Sequence, residues 1–75
     1  MEELLDRIVV DPSILAGKPV IKGTRIPVHL IIELIASGMT IKGLLKEYPE
    51  LKEEDVKAAL LYASKLLERE VTVAL

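Results

Sequence analysis

The segment from Val28 to Ser37 has an aliphatic side chain on nearly every side of the helix that it predicts. Its polar exceptions are only His29, Glu33 and Ser37. A helix that is apolar all round is buried all round, so we expect the rest of the chain to enclose it. A chain of 75 residues, 51% of them hydrophobic, hides only roughly 60% of the surface that its unfolded form exposes. The surplus apolar surface predicts self-association or a protein partner.

Residues 8–27 predict an extended, glycine-hinged β-arm. A β-branched run opens this segment, and an Asp-Pro-Ser cluster then favours a turn. Gly17 and Gly23 allow sharp backbone turns on either side of a second extended piece. Pro27 is placed to start the buried helix, because its fixed φ suits the first helical turn.

Three helices are expected after the arm, over residues 28–37, 41–47 and about 52–69. Gly38 is placed to end the first helix with left-handed backbone, and Thr40 to cap the second. The third helix has apolar residues at helical spacing, namely Val56, Ala59, Leu60, Ala63 and Leu67. The predicted fold is therefore mainly α, a single domain with a trihelical helix-turn-helix core at 28–69, a β-arm at 8–27 and an apolar tail at 70–75.

Two helices with a short connection at residues 40–69 have the lengths of a helix-turn-helix, whose second helix enters the major groove of DNA. Many small helical domains share this pattern without binding DNA. The distribution of local charge therefore has to decide between a DNA-binding motif and two helices that only pack together. The net charge of −2 and a pI near 5.3 require any nucleic-acid contact to use local basic patches. The candidate phosphate contacts are Lys18, Lys22, Arg25, Lys42, Lys46 and Lys57.

These cations also have plainer interpretations. Lys42 and Lys46 are four residues apart and repel each other unless an anion such as phosphate lies opposite, but two solvated lysines are the commoner case. Cations on the arm also protect an edge strand from aggregation. Against base reading, Glu53, Glu54 and Asp55 open the last helix, where we expect carboxylates to repel the DNA backbone.

The sequence gives no support for catalysis or for a cofactor. A nucleotide-binding P-loop needs Gly-Lys where this chain has Lys22 followed by Gly23. His29 is the sole histidine and there is no cysteine, so we expect no metal site. No serine or threonine stands in a recognisable nucleophile motif. The acidic N-terminus lacks a signal-peptide pattern and the aliphatic run is interrupted, so we expect a cytoplasmic protein without a membrane span.

The C-terminal tail supports an alternative function, a protein-interaction module that does not bind DNA. Its residues have strand-like chemistry, and the candidate partner contacts are Val71, Thr72, Val73, Ala74 and Leu75. Such a segment can add to a partner's sheet edge or fold into a groove. The acidic start of the last helix favours this alternative.

Several stretches together resemble one small prokaryotic family: VDP, ILAGKPVIKGTRIPV, SGMT, LLKEYPEL and EEDVKAALLYA. The family is known as domain of unknown function 433, and the resemblance runs from about Ile8 to Ala63. It implies a homeodomain-like helix-turn-helix fold and a VapB-like antitoxin that binds and silences a PIN-like nuclease. It also implies a homodimer on a palindromic operator. The chain departs from the family at Lys52, where a Ser or Thr cap is common.

Overall fold

The computed structural model describes residues 2–69 of the chain. Within these residues the protein is mainly helical, with four helices and a two-stranded antiparallel sheet. The elements are α1 (Glu2–Leu5), β1 (Ile8–Val9), β2 (Val20–Ile21), α2 (Val28–Ala36), α3 (Ile41–Glu47) and α4 (Glu53–Glu68). None of these helices is both long and apolar enough to cross a membrane.

The two strands are short and lie against the helices. Ile8 pairs with Ile21, and Val9 pairs with Val20. Val20 and Ile21 are almost completely buried, and Ile26 joins the same core as the helices. The segment predicted as a β-arm is therefore anchored in the core by its second strand, whereas its first strand is half-buried and its turns are mostly exposed.

The turn after β2 is closed by hydrogen bonds of one hydroxyl group. The Thr24 hydroxyl donates to the carbonyl oxygen of Ile21 at 2.8 Å and accepts from the N–H of Ile26 at 3.0 Å. Gly23 has a φ of 82°, which confirms the predicted sharp turn and favours glycine there. The turn leaves the side chain of Lys22 exposed.

A left-handed turn lies between the strands and was not predicted from the sequence. Leu15 and Ala16 have φ values of 47° and 56°, ahead of Gly17 at 85°. Left-handed backbone costs a non-glycine residue roughly 1–2 kcal/mol. The turn is entered at Asp11, whose carboxylate accepts from the N–H and the hydroxyl of Ser13 at 2.9 and 2.8 Å. The hydrogen bond from that backbone N–H is the main cause of the lowered pKa of Asp11.

Helices α2 to α4 lie within one residue of their predicted limits. Gly38 follows α2 with a φ of 106°, as predicted for a left-handed helix end. The Thr40 hydroxyl accepts from the N–H of Gly43 at 2.9 Å, which confirms the predicted cap of α3. The additional short helix α1 packs against α4. The buried core cluster consists of Ile21, Ile26, Val28, Ile31, Leu44, Leu51, Val56 and Ala59.

Two predictions about burial are wrong. Helix α2 is not enclosed on every side, because only Val28 and Ile31 are fully buried and its other large aliphatic residues are half-buried. On α4, Leu60 and Leu67 are exposed, although their spacing placed them with the buried residues. So small a domain has too little surrounding structure to cover every aliphatic side chain that its helices carry.

Candidate nucleic-acid interface

Helix α3 has one buried face and one basic face. Leu44 is completely buried, and it fixes the rotation of the helix against the core. Lys42 and Lys46, one turn apart on the same face, are both exposed. This face therefore holds two adjacent positive charges in solvent, where both can reach an anion.

A five-residue connection joins α3 to α4. Leu51 is buried in this connection, and its N–H donates to the carbonyl oxygen of Tyr48 at 2.9 Å. The side chain of Tyr48 also packs against the core. These contacts fix where α4 begins relative to α3.

The first turn of α4 is less acidic on its surface than the sequence indicates. Asp55 is only 5% exposed, and its Oδ1 accepts from Nη1 of Arg7 at 2.9 Å. Its Oδ2 accepts from the backbone N–H of Lys52 at 2.9 Å. The expectation that all three carboxylates at the start of α4 present their charge to solvent is therefore wrong, since only Glu53 and Glu54 are exposed. Asp55 thereby satisfies the N–H of Lys52 at the start of a helix that has no Ser or Thr cap.

Sequence reasoning missed the Arg7–Asp55 ion pair. The two residues are 48 positions apart, so no helical or strand periodicity connects them. The N–H of Lys22 donates to the carbonyl oxygen of Arg7 at 2.8 Å, which ties Arg7 to the sheet. Arg7 thereby links the N-terminal segment to the start of α4.

Lys57 is less available to a phosphate than its position in the sequence suggests, because it already has an acidic partner. Its Nζ lies 3.7 Å from Oε2 of Glu53, which is one turn earlier on α4, the spacing at which opposite charges pair on a helix. Both side chains are mostly exposed, so the pair adds little stability and opens easily to another partner. A phosphate that approaches Lys57 has to compete with Glu53.

The structure does not bring the remaining predicted cations together in one patch. Lys22 and Arg25 are exposed at the turn after β2. Lys18 lies instead at the edge of a groove between α2 and α4. The six predicted phosphate contacts therefore lie on the groove edge, on the turn, on α3 and on α4.

The groove beside Lys18 has a volume of about 500 Å³ and a mainly apolar floor. Its floor is formed by Val28, Ile32, Tyr62, Ala63 and Leu66. His29 lies exposed at its edge. No three acidic or histidine side chains among residues 2–69 are grouped to hold a metal ion. The predicted partner contacts Val71 to Leu75 fall outside the described residues.

Comparison with known proteins identifies relatives over most of the chain. The family described as "Protein of unknown function (DUF433)" matches residues 8–63. A crystal structure of a DUF433 member protein from Anabaena variabilis is 34% identical in sequence, with a TM-score of 0.79. The match covers 91% of this chain and 67% of that one. The arrangement of helices and strands is therefore shared with an experimental structure.

Two further relatives differ in length. The uncharacterized protein y4eO of Sinorhizobium fredii is 36% identical over 56 residues, which are 75% of this chain and 25% of that protein. An uncharacterized protein of Archaeoglobus fulgidus is 67% identical over 30 residues, which are 40% of this chain and 83% of that one. This chain thus spans about a quarter of the length of the Sinorhizobium relative.

Proposed function

This chain belongs to the DUF433 family, and we propose that it is the antitoxin of a type II toxin-antitoxin module. In this role it neutralises a PIN-like nuclease in the cytoplasm and represses its own promoter. Helices α3 and α4 form a helix-turn-helix, in which α4 enters the major groove and α3 lies across the backbone. Two copies bind a palindromic operator, with one half-site for each copy.

The observation that carries the DNA-binding part is the charge distribution of α3 and the start of α4. Lys42 and Lys46 lie on the solvent face of α3, where a helix that crosses the DNA backbone needs cations. Asp55 is turned inward and paired with Arg7, so it does not oppose the phosphates. The inward carboxylate supports DNA binding by a helix whose sequence alone argues against it.

Replacing both Lys42 and Lys46 by alanine is expected to weaken binding to every DNA sequence. Each lysine neutralises one phosphate and releases counterions, so the slope of log K against log salt should become shallower by about 2. Both side chains are exposed, so the fold should remain intact. Titration of fluorescent upstream DNA at several salt concentrations, against a scrambled duplex, measures both quantities.

A charge-matched control is available on α4. Lys65 and Arg69 are also exposed and four residues apart, but Lys65 lies in the last turn of α4 and Arg69 follows directly after that helix. Replacing both by alanine removes the same charge and should leave the salt slope unchanged. Equal losses in the two double variants would assign the effect to net charge and remove the α3 face from the site.

The antitoxin part predicts a protein partner. Purification of the tagged chain from its native cells, at moderate salt after nuclease treatment, should recover a PIN-like nuclease in stoichiometric amount. Addition of the chain should then suppress cleavage of RNA by that nuclease. Recovery of the chain alone would contradict the antitoxin role and leave a DNA-binding regulator.

A second candidate is a protein-interaction module that does not bind DNA. The apolar groove between α2 and α4 and the two exposed carboxylates at the start of α4 favour it. In that case the nuclease is recovered as described, but upstream and scrambled DNA bind with equal, weak affinity. The DNA titration therefore separates the two functions.

A further inference from the structure

The C-terminal half of α4 carries an apolar patch, which we define as Leu60, Leu66, Leu67 and the groove beside them. These leucines are three of the five large hydrophobic residues that are exposed among residues 2–69. Leu67 is 66% exposed. On the helix, Leu60 and Leu67 lie one turn before and one turn after Ala63, which lines the groove together with Leu66. Single exposed apolar residues are ordinary, but a contiguous patch marks an interaction surface.

A projecting side chain and a cavity are found on the same patch. In a two-fold dimer the same patch serves both copies, so it must supply the inserted side chain and also the site that receives one. We infer that a second copy of this chain covers the patch, with Leu67 of each copy inserted into the α2–α4 groove of the other. The groove floor is aliphatic and aromatic, which suits a leucine side chain.

The charges around the patch fit the same partner. Lys18 and Glu33 are both exposed and line the groove, and Glu68 is exposed directly after Leu67. When Leu67 enters the groove of the other copy, Glu68 approaches Lys18 of that copy. Two-fold symmetry forms this pair twice. Charged pairs at the edge of an interface set its register more than its affinity.

This interface leaves the proposed DNA contacts uncovered. Lys42 and Lys46 lie on α3, which contributes nothing to the groove, and Lys57 lies nearer the opposite end of α4. The inference deepens the proposed function, because a palindromic operator needs two copies in a fixed arrangement. It also assigns Lys18 to the dimer rather than to phosphate.

Sedimentation equilibrium without DNA tests the dimer directly. The full chain should be dimeric, and Leu67→Lys should raise the dissociation constant of the dimer at least tenfold. Val10→Lys is the matched control, because Val10 is 57% exposed and lies outside the patch. Circular dichroism should show both variants folded. A full chain that stays monomeric would leave the groove to residues 70–75 or to another protein and would overturn the inference, as would equal effects of the two variants.

Charge reversal tests the arrangement within the dimer. Lys18→Glu and Glu68→Lys should each weaken the dimer several-fold, and the double variant should recover most of the loss. A double variant weaker than either single one would exclude this pairing. If the chain is dimeric but binds no DNA, the interface is supported and the DNA-binding function is overturned. If the chain is monomeric but binds its operator, the DNA-binding function is supported and the interface is overturned.

Discussion

Replacement of Arg7 by alanine is expected to lower the free energy of unfolding by about 3 kcal/mol. The side chain of Arg7 is 36% exposed, and an exposed salt bridge is ordinarily worth only about 0–1 kcal/mol. The difference lies in its partner, because the Asp55 side chain is 7% exposed. Loss of Arg7 leaves that carboxylate buried with the N–H of Lys52 as its remaining hydrogen-bond donor. Urea denaturation followed by circular dichroism measures the change.

Arg25→Ala is the control for this prediction, since Arg25 is exposed on the turn after β2. We expect its effect to stay within about 0.5 kcal/mol. In a double-mutant cycle, Asp55→Ala should cost much less in the Arg7→Ala background than in the wild type, because the uncompensated carboxylate is then removed. Additive effects of the two substitutions would show that the ion pair does not stabilise the fold.

Replacement of Leu44 by alanine is expected to cost about 3 kcal/mol, within the range of roughly 2–5 kcal/mol for a buried leucine. Leu44 is 0% exposed and anchors α3 to the core cluster. The free energy of unfolding of a native protein is usually about 5–15 kcal/mol, so this substitution removes a large part of it. The control is Val10→Ala at an exposed aliphatic position, with an expected change of less than about 0.5 kcal/mol. Equal midpoints of urea denaturation for the two variants would contradict this assignment of the core.

The Leu44 substitution also has a functional consequence. Helix α3 holds Lys42 and Lys46 on its outer face, and it has seven residues, too few for an independent helix in water. A loosened α3 no longer holds the two lysines in one orientation. Under the proposed DNA-binding function, the DNA affinity of the Leu44→Ala variant should therefore fall at temperatures where the rest of the domain remains folded.

The local elements of this fold could be predicted because their signals are local. The limits of α3 follow from Thr40 as its cap and from Tyr48 ahead of a proline, and the end of α2 follows from Gly38. The i, i+4 spacing of Glu53 and Lys57 likewise predicts their ion pair. In each case, backbone stereochemistry or helix geometry acts over four or five residues, so the sequence contains the information.

The missed features depend on contacts between distant segments. The inward orientation of Asp55 requires Arg7, which a reading of helical periodicity cannot supply. The exposure of Leu60 and Leu67 depends on how much of α4 is covered by α1 and α2. The spacing of apolar residues within α4 does not predict that coverage. The left-handed conformation of Leu15 and Ala16 lies in the segment that joins the two strands, and neither residue type favours such backbone. The lysines of the candidate site on α3 could thus be predicted from the sequence, but the arrangement of charged and apolar side chains around them could not.

The Arg7–Asp55 ion pair has a consequence for the order of folding. The pair closes a loop between residues 48 positions apart, whereas the helix caps and turns join near neighbours. Formation of a contact that closes a long loop costs the chain more conformational entropy than formation of a local contact. We therefore expect the pair to form after the folding transition state, so that its loss accelerates unfolding and leaves the folding rate nearly unchanged. The link between the N-terminal segment and α4 then governs how long a folded molecule persists.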